Sequence, residues 1–538
     1  MRTARGLAAV ALLCLVGLFV TIAPAAIADS DPTAVHTNGT AVHSNGSVTW
    51  ATQDAGAPAD PPEDRIGWEQ GYWYNESIDV DQSDGLSEAE LQRYKARTMA
   101  RLEHIRGLEF TDDVEIEFIG SDAVADRIEG DVTQFRGSDQ QWEALFVIGE
   151  DRNASRVITD TLVASVAGWA AEEGSEKVVL ITEDPDEPTA PPVLMAHELT
   201  HVLQHQQFDL SDPRYQRSTM DGEHAKDAIV EGEASHLDSV YQEYCSNGTW
   251  ECVDDAEGFT TGPWSDSVEF ELSSYLSAPY SLGSQYVSEL TESGGYEAVD
   301  ATHRDPPAYS VAAFHVDESI QPDAPLSVPD RSNDAWNRNE PPDRVGSMAL
   351  RSFASDVYRE WHNGALYPYT NGSADGYVWE TRWASDDAAE GFANVSRQRI
   401  SNQDGTWIDD GVWVIPDGPF ADAFAINRTG TTVRIVNAPT IESLSGVHAG
   451  SGPNASDLET TEPPETTTEP VETPIDTVET TSESAGADGE DGTPTGVRDA
   501  MTVGTEETAT AVDDGPGFGI AAALVGLFIV AFAKSRSS

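Results

Sequence analysis

The stretch SEAELQRYKARTMARLEHIRGL (87–108) puts Leu91, Tyr94, Thr98, Leu102 and Ile105 on one face, the spacing of an amphipathic helix. Short apolar runs follow at DVEIEFI (113–119), EALFVIG (143–149) and EKVVLIT (176–182), and their pattern predicts strands. RVITDTLVASVAGWAAEEG (156–174) predicts a helix between the last two. PVLMAHELTHVLQHQQF (192–208) predicts another, opened by Pro191 and Pro192. A third, GEHAKDAIVEGEASHLDSVYQEYC (222–245), gathers Val230, Ala234, Leu237, Tyr241 and Tyr244 on its packed face. Beyond these, DRVGSMALRSFASDVYREWH (343–362) predicts a helix, while YVWETRW, VWVIP and TVRIV predict strands. The order is that of an α+β protein: a mixed α/β layer and two long helices, then a smaller α+β region at 321–440. Trp379 and Trp383 are expected in its core.

Outside 62–440 the pattern changes. Residues 29–61 are polar and rich in Ala, Pro and Gly, and predict a flexible arm. Residues 451–515 are Thr, Glu, Pro and Gly with almost no large apolar residue, and predict a disordered stalk. The first 28 residues have a basic start at Arg2 and Arg5, an apolar run and a small-residue site around Ala26 and Ala28, the layout of a secretory signal peptide. The last residues, 516–538, hold an apolar stretch ending at Lys534 and Arg536. Pro516, Gly517 and Phe518 precede it, and this order resembles the PGF-CTERM sorting signal of archaeal surface proteins. That resemblance implies removal of the tail and its replacement by a lipid; a plain C-terminal membrane anchor is the other reading. Both predict an exported protein held at the outer face of the cell membrane.

Composition sharpens this. Thirty basic residues stand against 94 acidic ones, a formal charge of −64. Self-repulsion on that scale opposes compaction in dilute buffer. At about 1 M salt the Debye length falls to about 3 Å and the repulsion is screened. The balance looks haloarchaeal, and it argues against a nucleic-acid partner, which needs clustered Lys and Arg. Cys245 and Cys252 flank a short segment and are expected to form a disulfide in an oxidising compartment. Asn38, Asn45, Asn75, Asn153, Asn247, Asn371, Asn394, Asn427 and Asn454 each open an N-x-S/T sequon, which predicts a glycoprotein. The acidic segment 79–90 resembles a calcium loop through Asp79, Asp81 and Glu90, but Gly85 falls one position late; a helix cap by Ser87 with Glu90 accounts for the same residues.

His197-Glu198-Leu199-Thr200-His201 is an H-E-x-x-H match on a predicted helix. Spacing of four puts both imidazoles on one face, one turn apart, where they can hold one metal ion. Glu198, one step round, can reach a water at that ion. On a second helix, AIVEGEAS (228–235) carries Glu231 before Gly232. These segments resemble gluzincin metallopeptidases over residues 192–245. The resemblance implies a zincin-like domain at 62–320, one zinc ion with His197, His201 and Glu231 as ligands, and Glu198 as general base. It favours Glu231 over Glu233. The metzincin pattern fits less well, because Gln204 and Gln207 stand where it needs Gly and His. An iron site of two His and one carboxylate is a further reading. Tyr280, His303, Tyr309 and His315 are candidates to stabilise the oxyanion, with Tyr280 first. Asp227 and Asp238 share the Glu231 face and are expected behind the ligands, one of them accepting an N–H from a ligand His. His205, His224 and His236 are expected to be structural.

The function expected is therefore a surface-anchored zinc metallopeptidase acting on peptide or protein substrates, with the membrane and a cell-surface layer as its surroundings. The alternative is a non-catalytic cell-wall glycoprotein that retains the zinc scaffold.

Overall fold

The structure, a computed structural model, describes residues 61, 63–124, 138–170, 176–254, 270–316, 326–409 and 411–452. The expected signal peptide and sorting signal lie outside them, as do Asn38, Asn45 and Asn454, all but one residue of the expected arm and all but two of the expected stalk. The described residues belong to one compact unit, Gly56–Ser538. Within them no helix is long and apolar enough to cross a membrane.

A two-stranded hairpin, β1 (Trp68–Glu69) and β2 (Tyr72–Trp73), precedes α1 (Glu88–Arg106). The start of α1 is set by its sequence: Ser87 accepts from the Glu90 backbone, and the Glu90 side chain accepts in turn from the Ser87 backbone. Glu90 is thereby engaged as a cap, and Asp81 accepts from the Ser83 backbone. Neither belongs to the acidic or histidine clusters that could hold an ion among the described residues.

Next come β3 (Glu115–Gly120), α2 (Asp139–Ala144), α3 (Ala154–Ser165), β4 (Gly168–Ala170) and β5 (Lys177–Thr182). They form a three-stranded sheet of order β3-β5-β4, with β3 parallel and β4 antiparallel to β5. Two expectations fail here. EALFVIG (143–149) is no strand but the end of α2 and a turn, with Phe146 at a positive φ of 57°. Its apolar residues Leu145, Val147 and Ile148 are buried all the same, and a short apolar run carries no period to tell a strand from a buried turn. The helix expected to run to 174 stops at Ser165, because the chain then pairs with β5.

Two helices follow as expected, α4 (Pro192–Phe208) and α5 (Met220–Ser246). Helix α4 is buried along nearly its whole length, so it is the centre of the unit rather than a surface element. Helix α6 (Phe270–Arg304), broken by non-helical geometry at Gly295, was not legible in the pattern. Pro279 inside it and its several glycines speak against a helix. One of them, Gly283, lies where α6 crosses α5: a β-carbon there would sit 2.6 Å from the Ala228 carbonyl oxygen and 2.9 Å from the Gly232 α-carbon. The two backbones touch at a glycine pair, an approach that no side chain permits.

The rest forms an antiparallel seven-stranded sheet. Its strands are β6 (Asn337–Arg338), β7 (Trp361–Thr370), β8 (Asp375–Trp383), β9 (Thr406–Asp409), β10 (Val412–Val414), β11 (Ala423–Thr429) and β12 (Thr432–Ala438), in the order β6-β7-β8-β12-β11-β10-β9. Helices α7 (Ser347–Phe353), α8 (Asp386–Asn402) and α9 (Ile441–Val447) pack around it. The helix expected over 343–362 is only α7, since the chain enters β7 at Trp361. Trp379 and Trp383 are buried against Phe392 of α8. The Asp343 carboxylate accepts from the Met220 backbone, and Asp221 accepts from Ser310, so the start of α5 is fastened to this region.

Charge is handled locally. Lys95, Lys177 and Lys226, the lysines in the described residues, all pair with carboxylates. Cys245 and Cys252 are joined in a disulfide. Asn75, Asn153, Asn247, Asn371, Asn394 and Asn427 are all exposed, so each sequon in the described residues is sterically open.

Candidate metal centre

Helix α4 presents His197 and His201 on one face, and α5 brings Glu231 across to them. The two Nε2 atoms are 3.2 Å apart. Glu231 Oε2 lies 3.6 Å from His197 Nε2 and 3.3 Å from His201 Nε2. All three side chains are buried. Ligand atoms about 2.0–2.1 Å from a tetrahedral ion are about 3.3 Å from one another, so one small ion fits this triangle. Neither Glu231 oxygen has a hydrogen-bond partner, which is the state expected of a carboxylate whose partner is an ion. Burial opposes its charge, but His201 and His197 hold the Glu231 carboxyl down at about 2.

The imidazoles are aimed from behind. Asp238 accepts from His197 Nδ1 at 2.7 Å, which fixes the proton there and turns the Nε2 lone pair toward Glu231. His201 is held differently. Its Nδ1 lies 2.9 Å from Gln204 Oε1, and Gln204 Nε2 donates to the Val230 carbonyl and to Glu233. Those two acceptors fix which way the amide points, so its oxygen faces His201. Glu233 in turn accepts from Arg106 and His303, and His303 meets the Tyr215 hydroxyl. Burial raises the Glu233 carboxyl, but Arg106 and His303 hold it well below the usual range. Glu233 is thus part of a buried network behind the site and not a ligand.

Glu198 stands beside this triangle without being part of it. It is fully buried and neither oxygen has a hydrogen-bond partner. Burial, against the pull of His197, pushes its carboxyl up to about 8. Strand β4 passes beside it: a β-carbon on Gly168 would lie 3.2 Å from Glu198 Oε1. The Tyr280 ring, from α6, stacks 6.1 Å from the His197 ring. Its hydroxyl titrates well above its ordinary value, through burial and then the carboxylates of Glu231, Asp227 and Glu198.

The structure therefore brings together His197, His201, Glu231, Glu198, Asp238 and Tyr280. Asp227 pairs with Lys226 at 2.9 Å, and it is Asp238 that meets His197. His303 is occupied by Glu233 and Tyr215, Tyr309 packs beneath Arg344, and His315 contacts the Arg359 carbonyl. His205, His224 and His236 lie outside the cluster. Gln204 was weighed in the sequence only as a departure from another pattern. Its spacing of three from His201 was the signal that it shares the ligand face.

A family model described as Domain of unknown function (DUF8575) matches residues 328–448, the segment that holds the seven-stranded sheet. No curated protein and no solved structure matches the chain.

Proposed function

We propose that this protein is a zincin-like, cell-surface zinc metallopeptidase. The observation that carries the reading is the meeting of two imidazole nitrogens and one carboxylate oxygen at 3.2–3.6 Å, with the uncommitted Glu198 carboxylate beside them. Two nitrogens and one oxygen suit zinc and leave a fourth position open. Zinc bound there would supply Lewis acidity, bringing the pKa of a water from about 15.7 toward about 7 and polarising a substrate carbonyl. His197, His201 and Glu231 would hold the ion, with Asp238 and Gln204 keeping the imidazoles turned toward it.

Glu198 has no hydrogen-bond partner to satisfy, which leaves its carboxylate available to take a proton and return it. In the proposed reaction it accepts the proton of the attacking water and passes it to the leaving amine. Tyr280 offers a hydroxyl donor beside the ligands, suited to the developing oxyanion. Strand β4 is an edge of its sheet among the described residues, so an extended peptide has a backbone to pair with next to Glu198. The signal-like start and the Pro516-Gly517-Phe518 tail support export and tethering at the outer membrane face.

The deciding experiment is peptide release in high salt by wild type and by Glu198→Gln, with bound zinc counted in both. The reading expects one zinc in each and cleavage only in wild type. Equal zinc with no cleavage that the variant lacks would leave the non-catalytic surface glycoprotein.

A further inference from the structure

A second group of acids is made of residues outside the histidine site. Glu143 near the end of α2, Glu150 in the turn after it, and Asp422 just before β11 place carboxylate oxygens within 4.8 Å of one another. Glu143 and Asp422 are buried, while Glu150 is exposed and leaves the group a way to solvent. Among the described residues no basic side chain pairs with any of the three. Two neutral groups reach in: the buried Tyr377 hydroxyl, raised well above its ordinary value by burial and then by Glu143, Asp422 and Glu150, and the Asn437 amide, whose Nδ2 donates to Glu143 at 3.1 Å and to Asp422 at 2.6 Å.

Hydrogen bonding accounts for only part of this. Asp422 Oδ1 is buried, and the group that faces Asp422 is the Glu150 carboxyl, an acceptor like itself unless a proton or a cation lies between them. Asn437 is fully buried and aimed into the cluster, and its Oδ1 is without a partner. Buried oxygens in that state call for a donor or a cation. Three carboxylates gathered this closely repel one another, and neither an arginine nor a lysine offsets them. A proton shared between two of them would relieve the repulsion but leave the Asn437 oxygen unmet.

We propose that Glu143, Glu150 and Asp422 bind a calcium ion, oriented by Asn437, that ties residues 138–150 to the seven-stranded sheet. The donors are all hard oxygens, which select calcium or magnesium over metals preferring nitrogen or sulfur. Calcium takes about six to eight oxygens at about 2.3–2.6 Å in a flexible geometry, which irregular carboxylates with solvent at the exposed Glu150 can meet; magnesium needs about 2.0–2.1 Å and a stricter octahedron. The ion would bridge acids far apart in sequence, Glu143 and Glu150 on one side and Asp422 on the other. The proposal is independent of the zinc site.

The test is a calcium titration of the full chain in high salt, with zinc content held constant and thermal midpoint and bound calcium both read. Wild type should gain one calcium of higher affinity than its general acidic surface, and a midpoint several degrees higher. Asp422→Asn should lose the calcium-dependent rise. Should that variant fail to fold, Glu150→Gln decides, because its side chain is exposed and the calcium response is read against the variant's own calcium-free midpoint. There the calcium affinity should fall at least tenfold. A rise of the same size in wild type and Glu150→Gln would overturn the site, since surface acids would then be the cause. No rise in wild type would overturn it in favour of a shared proton, and an equal rise with magnesium would overturn calcium as the ion.

Discussion

Replacing Gly283 by alanine should loosen the histidine site without altering any side chain in it. The added methyl would meet the Ala228 carbonyl oxygen at 2.6 Å and the Gly232 α-carbon at 2.9 Å. The first contact is roughly 0.8 Å too short for comfortable packing. Both obstacles are backbone, so relief comes only by moving α5 away from α6. Glu231 is the residue before Gly232 and travels with it, while His197 and His201 stay on α4. Metal–ligand distances tolerate only about 0.2 Å, so a shift several times larger should weaken zinc at least tenfold, about 1.4 kcal/mol. Overpacking should also cost about 1–3 kcal/mol of stability, partly offset by about 1 kcal/mol from the better helix former. Zinc affinity by chelator competition and thermal midpoint in high salt read the two effects. If Gly283→Ala binds zinc like wild type and melts higher, the helices are not held by backbone contact and the reasoning is wrong.

Asp238→Asn keeps an acceptor for His197 Nδ1 but removes its charge, and should weaken zinc by about 10–100-fold, whereas Asp227→Asn should leave zinc binding near wild type; chelator competition separates them. Tyr280→Phe should lower kcat by about 100–1,000-fold with KM little changed if its hydroxyl serves the oxyanion, which steady-state peptide cleavage measures. Asp221 is buried and its carboxyl is raised from 3.8 to about 6, chiefly by that burial, so between those values the folded state holds the proton more tightly than the unfolded one. Stability attributable to it therefore falls as pH rises through that window, by about 1.4 kcal/mol per pH unit, and is flat on either side. Denaturation midpoints of wild type and Asp221→Asn should diverge in the variant's favour from pH 4 to 6 and run parallel above.

The sequence alone determined what local geometry encodes. His197 and His201 must share a face because four residues make about one helical turn, and Ser87 with Glu90 starts α1 through bonds spanning three residues. The pattern also marked α4, α5 and the strands β3, β5, β8, β10 and β12, where periodicity or β-branched runs are strong. It failed at 143–149 and 166–170, where apolar residues are buried by a turn and by pairing with β5. It also missed α6, whose Pro279 and Gly283 contradict local propensity; Gly283 is there to let α5 approach. Only the tertiary structure decided which of two neighbouring acids meets the histidines: Glu231 does, and Glu233 is claimed by Arg106, His303 and Gln204. The same holds for Asp238 over Asp227, and for the gathering of Glu143, Glu150, Asp422 and Asn437 from opposite ends of the described chain. Periodicity records which side of its own element a residue occupies. Which polar groups then meet depends on how the elements cross, and that is set by packing between segments hundreds of residues apart.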